Sequence, residues 1–115
     1  MYANDKIKNV LTDFAKGIRV IFGDKLKDVI IFGSYARGDY DMESDIDIAI
    51  LADIPREEER NYINDIVTLL ASVDRKHHYS ALLSPIILSS NFFDEWKDTI
   101  PFYASVRNEG VSINA

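Results

Sequence analysis

The sequence of 115 residues is 47% hydrophobic and 11% aromatic, which is typical of one globular domain and excludes a disordered chain. With 13 basic and 19 acidic residues the net charge is −6, so we expect no stable nucleic-acid binding, although a local phosphate site that uses metal ions is compatible with this charge. The absence of cysteine excludes disulfides, thiolate metal sites and cysteine nucleophiles. Because the amino terminus is polar and no apolar run could span a bilayer, we expect a single cytoplasmic domain over residues 1–115 with no membrane contact.

Predicted helices and strands alternate along the first half of the chain. Apolar residues recur every three or four positions in Asp5–Phe22, which predicts a first helix. The segment Leu26–Phe32 is rich in β-branched side chains and predicts a buried strand, followed by a helical turn over 34–38 and a polar loop over 39–44. Isoleucine at every second position of Ile46–Ile50 predicts a second strand with one packed face.

The second half of the chain predicts one long helix, a strand and two short helices. Pro55 suits the first position of a helix, and three glutamates follow it in the turn where acidic residues are favoured. The segment Tyr79–Leu88 predicts a third strand, in which Pro85 indicates an edge position or a bulge, and Asn91–Lys97 and Ile100–Glu109 predict helices. This order predicts an α/β or α+β fold, a small sheet with helices packed on it. The buried face of the long helix is predicted to be Tyr62, Ile63, Ile66, Val67, Leu70 and Val73.

Gly33 and Ser34 stand where a buried strand turns at once into a predicted helical turn. Amide groups at such a turn are unpaired and carry partial positive charge, glycine permits close approach, and the serine hydroxyl is a further donor. These features favour a phosphate. The alternative is an ordinary strand-to-helix connection in which Ser34 caps the turn.

Asp45 and Asp47 are two residues apart on the second predicted strand. Their carboxylates therefore lie on one face of the strand, with Cα atoms about 7 Å apart. Two negative charges so close repel each other, and a cation bound between them removes this repulsion. Carboxylate oxygens together with substrate phosphates suit Mg²⁺. The alternative is a solvated edge, but the opposite face of this strand is purely isoleucine and the strand follows the phosphate-favouring turn.

The segment 32–50 resembles a known family. Gly33-Ser34, ten further residues and Asp45-Ile46-Asp47 resemble the signature of the DNA polymerase β-type nucleotidyltransferase superfamily. The fuller segment is similar to the minimal nucleotidyltransferase proteins, which are small catalytic domains often encoded beside a helical HEPN protein as a toxin–antitoxin pair. The resemblance implies a polymerase β-like palm, in which helices pack on a small mixed sheet. The ending, Pro101-Phe102-Tyr103 and then Arg107-Asn108-Glu109-Gly110, also resembles this group.

The resemblance implies roles for five residues. Asp45 and Asp47 would hold the Mg²⁺ ions that bridge a nucleoside triphosphate, and would thus be both the catalytic and the metal-binding residues. Gly33-Ser34 would cradle the β- and γ-phosphates. Arg37 would pair either with a phosphate or with Asp39, which would fix the turn.

The chain departs from the superfamily in one respect. The superfamily usually has a third acid on the strand after the long helix, where it binds metal and serves as base for the acceptor hydroxyl. That strand holds no Asp or Glu here, and we expect Ser80 in the place of the acid, where a serine cannot act as the base. Asp41 and Glu43 in the loop are alternative acids, as is one supplied by a partner.

Three functions follow as hypotheses. The first is transfer of a nucleoside monophosphate, AMP from ATP, to a hydroxyl on a partner, which by resemblance is a tyrosine of a HEPN toxin. The second is a nucleotide-binding antitoxin module with weak or no catalysis, which neutralises its partner by contact. The third is modification of a small molecule such as an aminoglycoside.

Two further groups of residues have simpler interpretations. His77-His78 follows two basic residues at a helix end, and we interpret it as a solvated helix end instead of a metal site. The last two short helices carry more aromatic residues than a small core needs, so the remainder could form a surface for a partner or for a second copy. These aromatic residues are Phe92, Phe93, Trp96, Phe102 and Tyr103.

Overall fold

A computed structural model describes residues 5–38 and 45–113, which form a four-stranded mixed sheet between two layers of helices. The predicted fold class is confirmed, and the bounds predicted for the first helix and the first strand are those observed. The elements are α1 Asp5–Phe22, β1 Leu26–Phe32, α2 Ser34–Arg37, β2 Ile46–Ala52, α3 Ile63–Lys76, β3 Leu83–Ser89, α4 Ser90–Trp96, α5 Pro101–Glu109 and β4 Val111–Ser112, with 3₁₀ turns at Gly23–Lys25 and Arg56–Tyr62.

The strands lie in the order β3-β2-β1-β4. Strand β2 is antiparallel to β1 and parallel to β3, and β4 pairs antiparallel with β1. Long connections are needed only for the parallel pair, which α3 joins. Every residue of the inner strand β2 is buried except Asp47, which is half-buried, and Asp45 immediately precedes the strand.

The alternation of side chains on β2 divides the core into two layers. Ile46, Ile48 and Ile50 face α1 and α3, whereas Ala49 and Leu51 face α4 and α5. Helix α1 supplies the largest share of the first layer because its three- and four-residue periodicity puts one continuous apolar stripe on the sheet. Its buried side chains are Ile7, Val10, Leu11, Phe14, Ala15, Ile18 and Phe22.

The long helix differs from its prediction at the start. Residues 56–62 form a 3₁₀ turn and the α-helix begins only at Ile63. The turn is tied to the end of β3, because Glu59 accepts a hydrogen bond from the backbone N–H of Ser89 (3.0 Å). Ile63 and Val67, predicted to be buried, are 50% and 57% exposed. They line an apolar cavity of 390 Å³ between α3 and β3.

Strand β3 also begins later than predicted, at Leu83. The residues before it form a turn in which His78 and Tyr79 both have φ of +56°. Ser80 therefore lies outside the strand, so the expectation that it stands early on β3, where the third acid is usually found, is wrong in its placement of Ser80. Pro85 does lie in an edge strand, as one of its two interpretations required.

Within residues 5–38 and 45–113, no helix has both the length and the apolar character needed to cross a bilayer.

Candidate active site

The predicted phosphate-binding corner is a sharp turn between β1 and α2. Gly33 has φ of 77° and ψ of −151°, a backbone conformation that is essentially restricted to glycine. The next residue, Ser34, starts a single helical turn, in which the Arg37 N–H donates to the Gly33 carbonyl (3.1 Å) and the Gly38 N–H donates to the Ser34 carbonyl (2.9 Å). Gly38 ends the turn in the left-handed region, with φ of 85°. The corner is thus bounded by two glycines that have positive φ.

The carboxylate of Asp47 lies directly against this corner. A Cβ atom added to Gly33 would overlap Oδ2 of Asp47 and would lie 3.4 Å from its Cγ. The contact follows from register, because Asp47 is the cross-strand partner of Phe32, the residue before Gly33. Glycine is therefore required at position 33 for two reasons: its backbone conformation and the proximity of an acid.

The charges of the two predicted acids interact. Asp45 is exposed just before β2, and Asp47 is half-buried as the second residue of the strand. Burial raises the pKa of the Asp47 carboxyl above its ordinary value of 3.8, and the negative charge of Asp45 raises this pKa further, while Arg37 acts in the opposite direction. A cation between the two carboxylates would oppose both effects that favour the protonated form of Asp47.

The donor set at the corner fits a hard divalent cation that also binds a ligand. Asp45 and Asp47 supply carboxylate oxygens, and Mg²⁺ commonly takes one or two carboxylates and completes its shell with phosphate oxygens and water. Within the part of the chain that the structure describes, no group of three acidic or histidine side chains could enclose a metal by itself. The phosphates of a substrate would therefore have to supply the remaining ligands.

Strand β3 places a serine beside the acids. Ser84, not Ser80, is in register with Asp47, and the carbonyl of Leu82 accepts the backbone N–H of Ile46 (2.7 Å). The position next to Asp47 on this strand is thus a hydroxyl where a third carboxylate was sought. Asp41 and Glu43, the loop acids considered as substitutes, lie outside the described residues.

Arg37 makes an ion pair that the sequence did not indicate. Its Nη1 lies 2.9 Å from Oε2 of Glu109, the last residue of α5, and both side chains are more than one third exposed. Asp39, the predicted partner of Arg37, lies outside the described residues. The pair joins positions 72 residues apart, so no local pattern could have revealed it.

His77 and His78 have different surroundings. Nε2 of His77 lies 2.6 Å from Oδ2 of Asp13 on α1, and Nζ of Lys76 lies 3.0 Å from the same oxygen. The hydrogen bond from His77 and that from Lys76 lower the pKa of the Asp13 carboxyl. His78 is exposed. The interpretation as a solvated helix end holds for His78, whereas His77 ties α3 to α1.

The carboxyl-terminal aromatic residues are divided between core and surface, as predicted. Phe93 is buried, and Phe92 and Tyr103 are half-buried. The ring centroids of Phe92 and Tyr103 are 5.8 Å apart. Trp96 and Phe102 remain 37% and 43% exposed.

Comparisons with known proteins show the family and support the fold. Two relatives from Methanocaldococcus jannaschii carry the names "Putative protein adenylyltransferase MJ0141" and "Putative protein adenylyltransferase MJ0604". The first is 41% identical over 78% of this chain and 91% of its own length, and the second is 32% identical over 90% and 93%. A crystal structure described as a putative nucleotidyltransferase from Sulfolobus solfataricus superposes with a TM-score of 0.50 at 22% identity, over 96% of this chain and 87% of the other, and supports the fold. Residues 11–98 match the family described as Nucleotidyltransferase domain, and this chain therefore belongs to the nucleotidyltransferase family of transferases.

Proposed function

We propose that this nucleotidyltransferase transfers AMP from ATP to a hydroxyl group of a partner protein, with Mg²⁺ held by Asp45 and Asp47. The observation that carries the proposal is the contact between the Asp47 carboxylate and the Gly33 corner, because it puts a metal-binding acid beside a phosphate-binding turn. The names of the two relatives support adenylyl transfer to a protein over other nucleotidyl transfers.

The residues of the chain divide the work of binding the triphosphate. Gly33 and Ser34 would receive the β- and γ-phosphates, and the guanidinium of Arg37 is close enough to influence Asp47 and would add positive charge to the same side. Mg²⁺, when bound to Asp45 and Asp47, would neutralise phosphate charge and polarise the reacting phosphoryl group. Catalysis by such a site is mainly positioning and electrostatic stabilisation.

At the α-phosphorus the reaction forms one bond and breaks one, and the acceptor hydroxyl also loses its proton. The acceptor oxygen bonds to the α-phosphorus, the bond from that phosphorus to the bridging oxygen breaks, and pyrophosphate leaves with the electron pair. The acceptor hydroxyl proton must go to a base, and Ser84, the residue in register with Asp47 on β3, has no basic side chain. We infer that the partner supplies this base or that transfer is slow.

The second candidate function, neutralisation of a partner by contact alone, is favoured by that same serine. A chain without the third carboxylate would keep its Mg²⁺–ATP site at Asp45 and Asp47 but would transfer little. By the resemblance noted above, the partner in both cases is a HEPN-type helical toxin, and the chain is its antitoxin. Self-association through the exposed aromatic residues Trp96 and Phe102 is the alternative use of that surface.

Label transfer separates the two functions. The purified chain is incubated with Mg²⁺ and ATP labelled at the α-phosphate, with and without the protein encoded by the neighbouring reading frame. Catalysis predicts label on the partner, lost in Asp45→Asn and Asp47→Asn but retained in Asp53→Asn, an exposed acid just beyond the far end of β2. Complex formation without label in the wild type, unchanged in the first two variants, would contradict catalysis and support neutralisation by contact.

A gain-of-function variant tests the assignment of the third position. Ser84→Asp puts a carboxylate in register with Asp47, so we expect faster label transfer than in the wild type. Ser80→Asp is the control, because Ser80 lies outside β3 and its substitution should leave the rate unchanged. Equal rates for all three proteins would show that Ser84 does not occupy the position of the third acid.

A further inference from the structure

Phe102 is an exposed aromatic residue at the margin of the site. It lies in the first turn of α5, and its ring centroid is 5.5 Å from that of Phe32 at an interplanar angle of 81°. Phe32 immediately precedes Gly33 and is the cross-strand partner of Asp47. The Phe32 ring thus lies between Phe102 and the paired strands β1 and β2, of which β2 carries Asp47.

Four residues keep the Phe102 ring in place. The edge contact with Phe32 supports it from the sheet, and Tyr103 contacts it at 5.9 Å with an angle of 55°. Pro101 starts α5 at a position where proline is favoured, and Val106, one turn further on, is buried and anchors the helix. Despite this support, 43% of the Phe102 surface stays exposed, so a fixed aromatic surface is open to solvent.

The direction of the nucleotide can be inferred from the sheet. Asp47 lies between Phe32 on β1 and Ser84 on β3, and the phosphate-binding corner continues from β1. The β3 side, which holds the position of the third acid, is left for the acceptor. A nucleoside on the opposite side of Asp47, towards β1, would contact the surface formed by Phe32 and Phe102. This surface lies on the sheet face covered by α5.

We propose that the exposed surface of Phe102 stacks against the base of the nucleoside triphosphate, and this proposal rests on the proposed function. A base is a flat π-surface of limited solubility, and a preorganised aromatic ring binds it without loss of side-chain freedom at the time of binding. Stacking on one aromatic side chain strengthens binding by about 10-fold to 100-fold and discriminates little between bases. Phe102 would therefore determine affinity for the nucleoside part, while the corner determines affinity for the phosphates.

The test compares ATP with inorganic tripolyphosphate, which has the phosphates but no base. Dissociation constants of both are measured by calorimetry with Mg²⁺ for the wild type, Phe102→Ala, Phe102→Leu and Phe102→Tyr. We expect about 10-fold weaker ATP binding in the alanine and leucine variants, near-normal ATP binding in the tyrosine variant, and unchanged tripolyphosphate binding in all three. Phe102→Leu keeps apolar contact with Phe32, so it guards against a local collapse of α5.

Trp96→Ala is the matched control. Trp96 belongs to the same aromatic group and is similarly exposed, but it contacts Phe92 and not Phe32. Unchanged ATP affinity in Phe102→Ala, an equal loss for ATP and tripolyphosphate, or an equal loss in Trp96→Ala would each overturn the stacking proposal and leave the proposed function standing. A wild type that binds neither ligand would overturn both.

Discussion

Replacing Gly33 by alanine would force a side chain into the space occupied by the Asp47 carboxylate. The backbone conformation of Gly33 costs a non-glycine residue about 1–3 kcal/mol. The new Cβ would also push aside Oδ2 of Asp47, which adds about 1 kcal/mol because this side chain must leave its preferred rotamer. We therefore expect Gly33→Ala to lower the free energy of unfolding by about 2–4 kcal/mol, a large part of the total for a domain of this size.

Gly38→Ala is the matched control for that substitution. Gly38 ends the same helical turn with φ of 85°, but no atom lies within 4 Å of its added Cβ. It should lose only about 1–2 kcal/mol, the cost of the left-handed conformation. Urea denaturation gives both losses, and calorimetry with Mg²⁺–ATP should show weaker binding for Gly33→Ala only. Equal destabilisation and equal binding in the two variants would refute the argument that Asp47 is packed on Gly33.

Three further predictions concern charged side chains. Asp47→Asn should raise the melting temperature in metal-free buffer at neutral pH while abolishing Mg²⁺–ATP binding. The reason is that burial and a nearby like charge raise the pKa of this carboxyl, which makes its ionised form unfavourable in the folded state. A lower melting temperature would refute this. Asp13→Asn should lower the free energy of unfolding by about 1–2 kcal/mol at pH 7, since it loses the hydrogen bond from His77. Because the folded-state pKa of Asp13 is lowered, this difference from the wild type should disappear as the pH falls from 3.8 through that lowered pKa, and urea denaturation at several pH values would measure it. Arg37→Ala should weaken ATP binding about 10-fold. Glu109→Gln should strengthen ATP binding, because it removes a competing carboxylate 2.9 Å from Arg37. Calorimetry that shows the opposite order would contradict a phosphate-binding role for Arg37.

The elements that the sequence predicted well have strong local patterns. The apolar periodicity of Asp5–Phe22 and the β-branched run of Leu26–Phe32 each determine one element, and both bounds of each were correct. The spacing of Asp45 and Asp47 likewise follows from the period of a strand. The contact of Asp47 with the corner depends on the pairing of β2 with β1, so the spacing of residues along the chain does not show it.

The features that the sequence could not predict depend on pairing between distant segments. Strand register determines whether Ser80 or Ser84 lies beside Asp47, and this register is fixed only by the pairing of β3 with β2. Strand β4 has two residues, too few for any alternation to be visible, and is defined by its bonds to β1. The tie between Glu59 and Ser89 joins residues 30 positions apart, so no local pattern reveals it.

Strand β3 has a consequence for how the molecule behaves at high concentration. Within the described residues it pairs only with β2, so its other side offers main-chain donors and acceptors to any extended chain that comes near, next to the apolar cavity lined by Ile63 and Val67. Pro85 in the middle of β3 has no N–H to donate, and proline in such strands protects against uncontrolled sheet extension. We therefore expect Pro85→Val, with a better strand former, to make the protein more prone to aggregate.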